Sequence, residues 1–140
     1  MTDNLTWMVV EDDHAIRDVI VTICELWEHN IVTFKDGFEA MAYLENEEIM
    51  PPLPDIALID IRMPGPWGHE ISARLREHPQ LKDIGIVLMT AYALPGADEH
   101  TYLEASGADQ LIYKPLPPMD ELREKVEEII KKRATSEKKA

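Results

Sequence analysis

The sequence predicts an α/β domain: a five-stranded parallel sheet, doubly wound, with helices on both faces. Two patterns predict it. Short apolar runs alternate with segments of helical period five times within 140 residues. Such alternation in one compact chain implies parallel strands joined by crossover helices. The runs are also almost continuously apolar, as strands covered on both faces are. A length of 140 residues suits one domain with a core large enough to fold alone.

The elements follow in order. The first run is Leu5–Val10. Asp13 then caps a helix in which Ile16, Val19, Ile20, Ile23, Cys24 and Trp27 recur at helical spacing. The second run, Asn30–Phe34, is punctuated by Asp36-Gly37, and Phe38, Met41, Ala42, Tyr43 and Leu44 mark the next helix. Pro51, Pro52 and Pro54 cannot continue it. The third run is Asp55–Ile59, and the loop MPGPWG leads to a helix carrying Ile71, Ala73, Leu75 and Arg76. The fourth run is Ile84–Met89. Pro95-Gly96 precedes a helix near Ala97–Ala105 that Gly107 stops. The fifth run is Gln110–Tyr113. Pro117-Pro118 opens a last helix with Leu122, Val126, Ile129 and Ile130 on one face. The domain is expected to span 5–131, with residues 132–140 as a flexible basic tail.

Composition excludes several classes. With one cysteine, Cys24, no internal disulfide and no thiolate zinc cluster can form. No apolar run reaches the ~18 residues of a membrane span, and MTDNLTW does not start like a signal peptide, so a cytoplasmic protein without membrane contact is expected. The net charge is −13. The ten residues from Lys131 carry five Lys/Arg against one Glu, a net +4 that leaves −17 on residues 1–130. So acidic a body argues against direct nucleic-acid binding and suits a cation or a basic partner. No Walker or dinucleotide glycine motif is present.

Four of the runs end in a polar group of special kind: Glu11-Asp12-Asp13, Asp60, Thr90 and Lys114. In a parallel sheet these gather at the carboxyl edge, where ligands bind. Carboxylates crowded there repel unless a cation intervenes. With only oxygen ligands on offer the cation is a hard one, Mg²⁺. Carboxylate, Mg²⁺, lysine and hydroxyl together equip a site for phosphoryl transfer, with an aspartate as nucleophile. The simpler readings hold elsewhere. Asp13 is a helix cap, Asp55 at the opposite edge is structural, and the final acidic helix is a solvated face. His14, His29, His69, His78 and His100 share no spacing and read as surface or structural residues.

The fragments VVEDD at 9–13, LIDIRMPG at 58–65, MTA at 89–91, GAD at 107–109 and YKP at 113–115 resemble, in order and spacing, the receiver domain of two-component response regulators. The resemblance covers residues 5–131 and implies the flavodoxin-like strand order 2-1-3-4-5. It makes Asp60 the phosphoacceptor. Asp12, Asp60 and the carbonyl of Arg62 become Mg²⁺ ligands, and Glu11 acts largely through water. Thr90 and the amide of Ala91 would meet the phosphoryl oxygens, and Lys114 would pair with the phosphate. Lys114–Pro115 becomes a candidate cis peptide. The implied function is a phosphorylation-dependent switch charged by a sensor histidine kinase or a histidine phosphotransfer protein. It would be no enzyme beyond accepting and losing its own phosphoryl group. Its output would be the surface over 97–131, toward another protein or a second copy.

The chain departs from the family at a few positions. The position three before the lysine, often aromatic, is Leu111, so the readout must differ or Tyr113 must contribute. Tyr92 and Arg62 would flank the water path to the phosphate and slow its loss. Trp67 would report on the site by fluorescence, or pack. Three rivals fit less well. A haloacid-dehalogenase-type hydrolase needs a second Asp where Arg62 stands, a flavodoxin needs a hydroxyl- and glycine-rich loop where the acids stand, and a phosphohistidine carrier would be all-helical. A degenerate receiver serving as a phosphate-independent scaffold is the remaining alternative, left open by Leu111.

Overall fold

The computed structural model describes residues 4–91 and 96–139. Its strands are β1 (Thr6–Val10), β2 (Asn30–Phe34), β3 (Ile56–Asp60), β4 (Gly85–Thr90) and β5 (Gln110–Tyr113). The helices are α1 (His14–Leu26), α2 (Gly37–Glu45), α3 (Gly68–Leu75), α4 (Gly96–Ser106) and α5 (Met119–Lys139). All pairings are parallel and the order is β2-β1-β3-β4-β5, as the resemblance implies. The order reverses direction at β1, so the crevice between the ends of β1 and β3 is the topological switch point.

Period-two alternation divides the core between the two faces. Met8, Val10, Ala57, Ile59, Ile86, Leu88 and Leu111 pack with Ala40 and Leu44 of α2 and with Ile71 and Leu75 of α3. Trp7, Val9, Ile56, Leu58, Val87, Met89 and Ile112 pack with Ile20 and Cys24 of α1 and with Leu122, Val126 and Ile129 of α5. Strands β1, β3 and β4 are buried throughout, the physical reason their sequences are continuously apolar.

The local signals act as chemistry requires. The Asp13 carboxylate accepts from the amides of Ala15 and Ile16, and Asp36 accepts from Glu39. Gly107 ends α4 at φ 71°. Asp55 is structural: it accepts from the Thr6 amide at 2.9 Å and ties the start of β1 to β3. The histidines sit where packing puts them. His29 accepts from Trp7 Nε1 at 3.0 Å, and the Trp7, Trp27 and His29 rings cluster under Arg123, whose guanidinium lies 4.9 Å from the Trp27 ring centre. His78 is buried between the Asn46 carbonyl and the Gln80 amide. The His69 ring packs edge-on against Tyr102, and His100 pairs with Glu104.

The last helix, α5, runs past residue 131 to Lys139. Within it, the Arg133 Nε donates to both carboxylate oxygens of Asp109 at 2.9 Å.

Asp109 is the staple of the sheet's β4–β5 side. It also takes Arg76 at 3.1 Å and the Ile86 amide at 2.8 Å. Arg76 further donates to the carbonyls of Gly107, Lys82 and Ile84. Asp109→Ala should therefore cost about 2–4 kcal/mol, because two guanidinium groups and a buried amide lose their acceptor together. Urea unfolding followed by circular dichroism measures this, and Asp109→Asn should recover part of the loss.

Candidate functional site

Strand register assembles the site. Val10 lies opposite Ile59, Asp60 opposite Met89, and Thr90 opposite Tyr113, so the residues that follow or end these strands reach one level. Glu11 leaves β1 and its amide still bonds the Phe34 carbonyl at 3.1 Å. Asp60 closes β3, Thr90 closes β4 and is buried, and Lys114 follows β5 with its amide on the Thr90 carbonyl at 2.8 Å. The Lys114–Pro115 peptide is cis. Ala91, the next residue after Thr90, is exposed at the edge.

Glu11, Asp12 and Asp60 form one cluster whose carboxylate oxygens lie within 4.8 Å of one another. Glu11 and Asp60 are buried and Asp12 is exposed. Lys114 Nζ sits 2.6 Å from Glu11 Oε1 and 3.4 Å from Asp60 Oδ1. The second oxygen of Glu11 accepts from the Asp13 amide at 3.2 Å. Both Glu11 oxygens are thus engaged, while Asp12 faces solvent.

Electrostatics follow from this crowding. Burial first, then the Glu11 charge, push the Asp60 carboxyl up to about 7, against the counter-pull of Lys114. Burial pulls the Lys114 ammonium down, but Glu11 and Asp60 outweigh it and raise it above the ordinary lysine value. Lys114 is therefore a fixed cation, and the carboxylate cluster carries unneutralised negative charge. Cys24, pushed up to about 12 by burial, is an inert thiol far from the nucleophile's role.

The cluster fits a hard cation. Octahedral Mg²⁺ at ~2.1 Å separates opposite oxygens by about 4.2 Å, the scale of a cluster whose ligand atoms all lie within 4.8 Å of one another. Among the described residues this is the only such group of three or more metal-ligating side chains.

The β3–α3 loop builds the rim. Gly65 adopts φ 85° against Phe38, the Gly37 amide bonds the Pro64 carbonyl at 3.0 Å, and the Gly68 amide bonds the Ile61 carbonyl at 2.8 Å. A Cβ on Gly68 would lie 2.3 Å from the Asp60 carbonyl oxygen, so only glycine lets α3 start this close to the acid. Glu70 accepts from the Trp67 amide at 2.7 Å at the start of α3. Trp67 is 38% exposed and carries the Arg62 guanidinium 5.4 Å from its ring centre. Tyr92, the other residue expected to flank the site, lies outside the described residues. Leu111 is 8% exposed and packs in the core, while the Tyr113 hydroxyl donates to Glu99 of α4 at 2.8 Å.

One contributor was not anticipated. Arg17 Nη1 donates to the Glu11 carbonyl at 2.7 Å, bracing the acidic turn from α1. The available signal was a cation in the first turn of a helix, where the macrodipole favours acids.

Free of metal, the domain should lose stability as pH rises from about 4 to 7. The folded Asp60 carboxyl holds its proton in that window while the unfolded one, near 3.8, has lost it. Asp60→Asn should flatten the profile and gain about 1–2 kcal/mol at pH 8, after allowance for solvent screening. Urea titrations across pH 5–8, read against wild type, measure both.

The comparisons with known proteins agree with this geometry. The family model described as "Response regulator receiver domain" matches residues 7–127. The "Probable transcriptional regulator ycf27" of Guillardia theta is 31% identical over 113 residues, covering 81% of this chain and 41% of that protein. The chain spans between 41% and 59% of the length of several curated relatives. Among solved structures, a CheY-like receiver domain from Methanospirillum hungatei superposes with a TM-score of 0.79 at 26% identity, covering 95% of this chain and 98% of that one. The response regulator TrrA of Thermotoga maritima, solved in complex with Mg²⁺-BeF, gives 0.69 at 29% identity, covering 89% and 98%. The matched family model, the strand order and the acids, threonine and lysine at the strand ends converge: the chain belongs to the response regulator receiver family.

Proposed function

We propose that the chain is a phosphorylation-dependent signalling switch whose acceptor is Asp60. The observation that carries this reading is the bridge of Lys114 Nζ between Glu11 and Asp60 at 2.6 and 3.4 Å, beside three carboxylates within 4.8 Å. A purely structural ion pair would not need the third acid.

Mg²⁺ would be held by Asp12, Asp60 and the Arg62 carbonyl, with Glu11 acting through water. When bound it supplies the positive charge that keeps Asp60 ionised and draws off charge from the phosphoryl oxygens. An Asp60 oxygen attacks phosphorus in line, the bond from phosphorus to the donor's imidazole nitrogen breaks, and the imidazole leaves with its electron pair. Lys114 exchanges its contact with Asp60 for one with a phosphoryl oxygen, while the Thr90 hydroxyl and the Ala91 amide donate to the others. The donor is a sensor histidine kinase or a histidine phosphotransfer protein. The chain turns over no separate substrate, and it slowly hydrolyses its own phosphoryl group. Arg62 flanks the water's approach and lengthens that lifetime.

Phosphorylation shifts a pre-existing equilibrium of the surface over α4, β5 and α5, residues 97–131. With Leu111 buried, the readout runs through other groups, and Tyr113, bonded to Glu99, is the aromatic that joins β5 to α4. No helix among the described residues is long and apolar enough to cross a membrane. We place the switch in the cytoplasm, acting on a protein partner rather than on nucleic acid. The second reading, a phosphate-independent scaffold, is favoured by Leu111 alone, which fills the core where the family often has a mobile ring.

Incubation with Mg²⁺ and acetyl phosphate should add the mass of one phosphoryl group, and both Asp60→Ala and a chelator should abolish it. Lys114→Ala should slow the addition by about a hundredfold, the usual loss for one electrostatic donor. Mg²⁺ should also change Trp67 fluorescence, with a Trp67→Phe variant as control for Trp7 and Trp27. Absence of the adduct in the wild-type protein would transfer the case to the scaffold.

A further inference from the structure

Strand β2 forms one edge of the sheet. Its Asn30 amide bonds the Leu5 carbonyl at 2.8 Å, and its Phe34 carbonyl accepts from the Glu11 amide at 3.1 Å. Those residues turn toward β1, so the alternation of a parallel ladder turns the main-chain N–H and C=O groups of Ile31 and Thr33 to the open side. Beside this edge lies a groove of about 480 Å³, to which β1, β2, α2 and the connection from α2 to β3 all contribute. Val32, Tyr43, Ile49 and Met50 give it an apolar lining. The wall formed by the connection is held in place: His78 Nε2 lies 2.8 Å from the Asn46 carbonyl, and the Ile49 amide donates to Gln80 at 2.6 Å. Met50 stands 81% exposed beside the buried Ile49, a flexible thioether chain able to cover an incoming apolar group.

The charge around the groove is one-sided. Residues 18–61 carry ten Asp/Glu against one Lys. That lysine, Lys35, lies just past the end of β2 and 3.9 Å from Glu39. Glu45, Glu47 and Glu48 are exposed on the segment that walls the groove, and Glu28 is exposed just before β2. Arg74, reaching this side from α3, donates to the Leu44 carbonyl near the end of α2. An open sheet edge beside an apolar groove thus carries a strong negative field.

We propose that the β2 edge and its groove bind an extended, basic segment of a partner protein, with apolar residues at alternate positions. The segment adds a strand to β2 through the main chain of Ile31 and Thr33. Alternate side chains enter the groove, and the basic residues between and around them meet Glu28, Glu45, Glu47 and Glu48. A second copy does not fit, because pairing two such edges brings both sets of acids together. The same field repels nucleic acid and anionic membranes. The groove lies at the Thr6 and Asn30 end of the strands, opposite the carboxyl edge that holds Asp60, so this binding does not depend on phosphorylation.

Fluorescence anisotropy of a short labelled peptide of alternating valine and lysine, titrated with the full unphosphorylated chain, tests it. Binding at about 10–100 μM is expected, the strength of a short segment that orders as it binds. Methylating alternate peptide nitrogens, in both registers, leaves charge and side chains intact but blocks strand addition in one register, where it should weaken binding by about tenfold. Thr33→Pro removes an outward N–H of the edge and should weaken it by about fivefold. Glu47→Lys combined with Glu48→Lys should weaken it by about tenfold, and a peptide with glutamate in place of lysine should not bind. Circular dichroism melts check that the variants remain folded; where Thr33→Pro does not, the methylated peptides carry the test of strand pairing. Equal binding of the plain peptide and both methylated peptides would reduce the effect to bulk charge and overturn the proposal. So would no binding up to about 500 μM. Self-association of the chain alone that Thr33→Pro abolishes would give the edge to a second copy and overturn it as well.

Discussion

Three carboxylates at the ends of two adjacent strands repel one another, and the rest of the molecule is arranged around holding them there. Two of them, Glu11 and Asp60, are buried, which raises the electrostatic cost further. Lys114 offsets part of it from β5, two strands away from Asp60 and three from Glu11. The Asp13 amide and Arg17 brace the acidic turn from α1, and Gly68 lets α3 begin against the Asp60 backbone. The charge left over is what suits the edge to a hard cation and a phosphoryl group.

Such an edge works only if the sheet behind it is rigid. The two apolar layers supply the bulk of that, and a few polar staples supply precision. Asp55 ties β1 to β3 at the edge opposite the acids. Asp109 gathers Arg76, Arg133 and the Ile86 amide, so that α3, α5, β4 and the approach to β5 share one anchor. The same motif that identifies the family here, GAD, is thereby a structural device rather than a chemical one. The floor of the domain, with Trp7, Trp27 and His29 in contact and Arg123 stacked above, is likewise packing, and it accounts for a histidine that could be mistaken for a reactive one.

The site's connection to the outside is unusual in its details. Leu111 is an ordinary core residue, and the aromatic at the strand end is Tyr113, whose hydroxyl holds Glu99 of α4. Thr90 and Lys114 flank this residue by strand register and by sequence. The Tyr113–Glu99 bond joins the end of β5 to α4.

The sequence by itself determined the five strand–helix units, the caps at Asp13 and Asp36, the structural role of Asp55 and the acids, threonine and lysine at the strand ends. It could do so because buried parallel strands must be apolar throughout, and polar residues that interrupt the pattern at its edge stand out. The strand order came from the likeness of scattered fragments to a family, not from periodicity, which is silent about which strands are neighbours. Only the tertiary structure decided that Lys114 lies between Glu11 and Asp60, that Arg17 braces the Glu11 carbonyl, that Asp109 binds two arginines, and that α5 runs on to Lys139. Each of these depends on groups far apart in the chain meeting across strands, helices and loops. Local composition carries no record of such distances, so the bond that ties Arg133 of α5 to Asp109 is visible only in the fold.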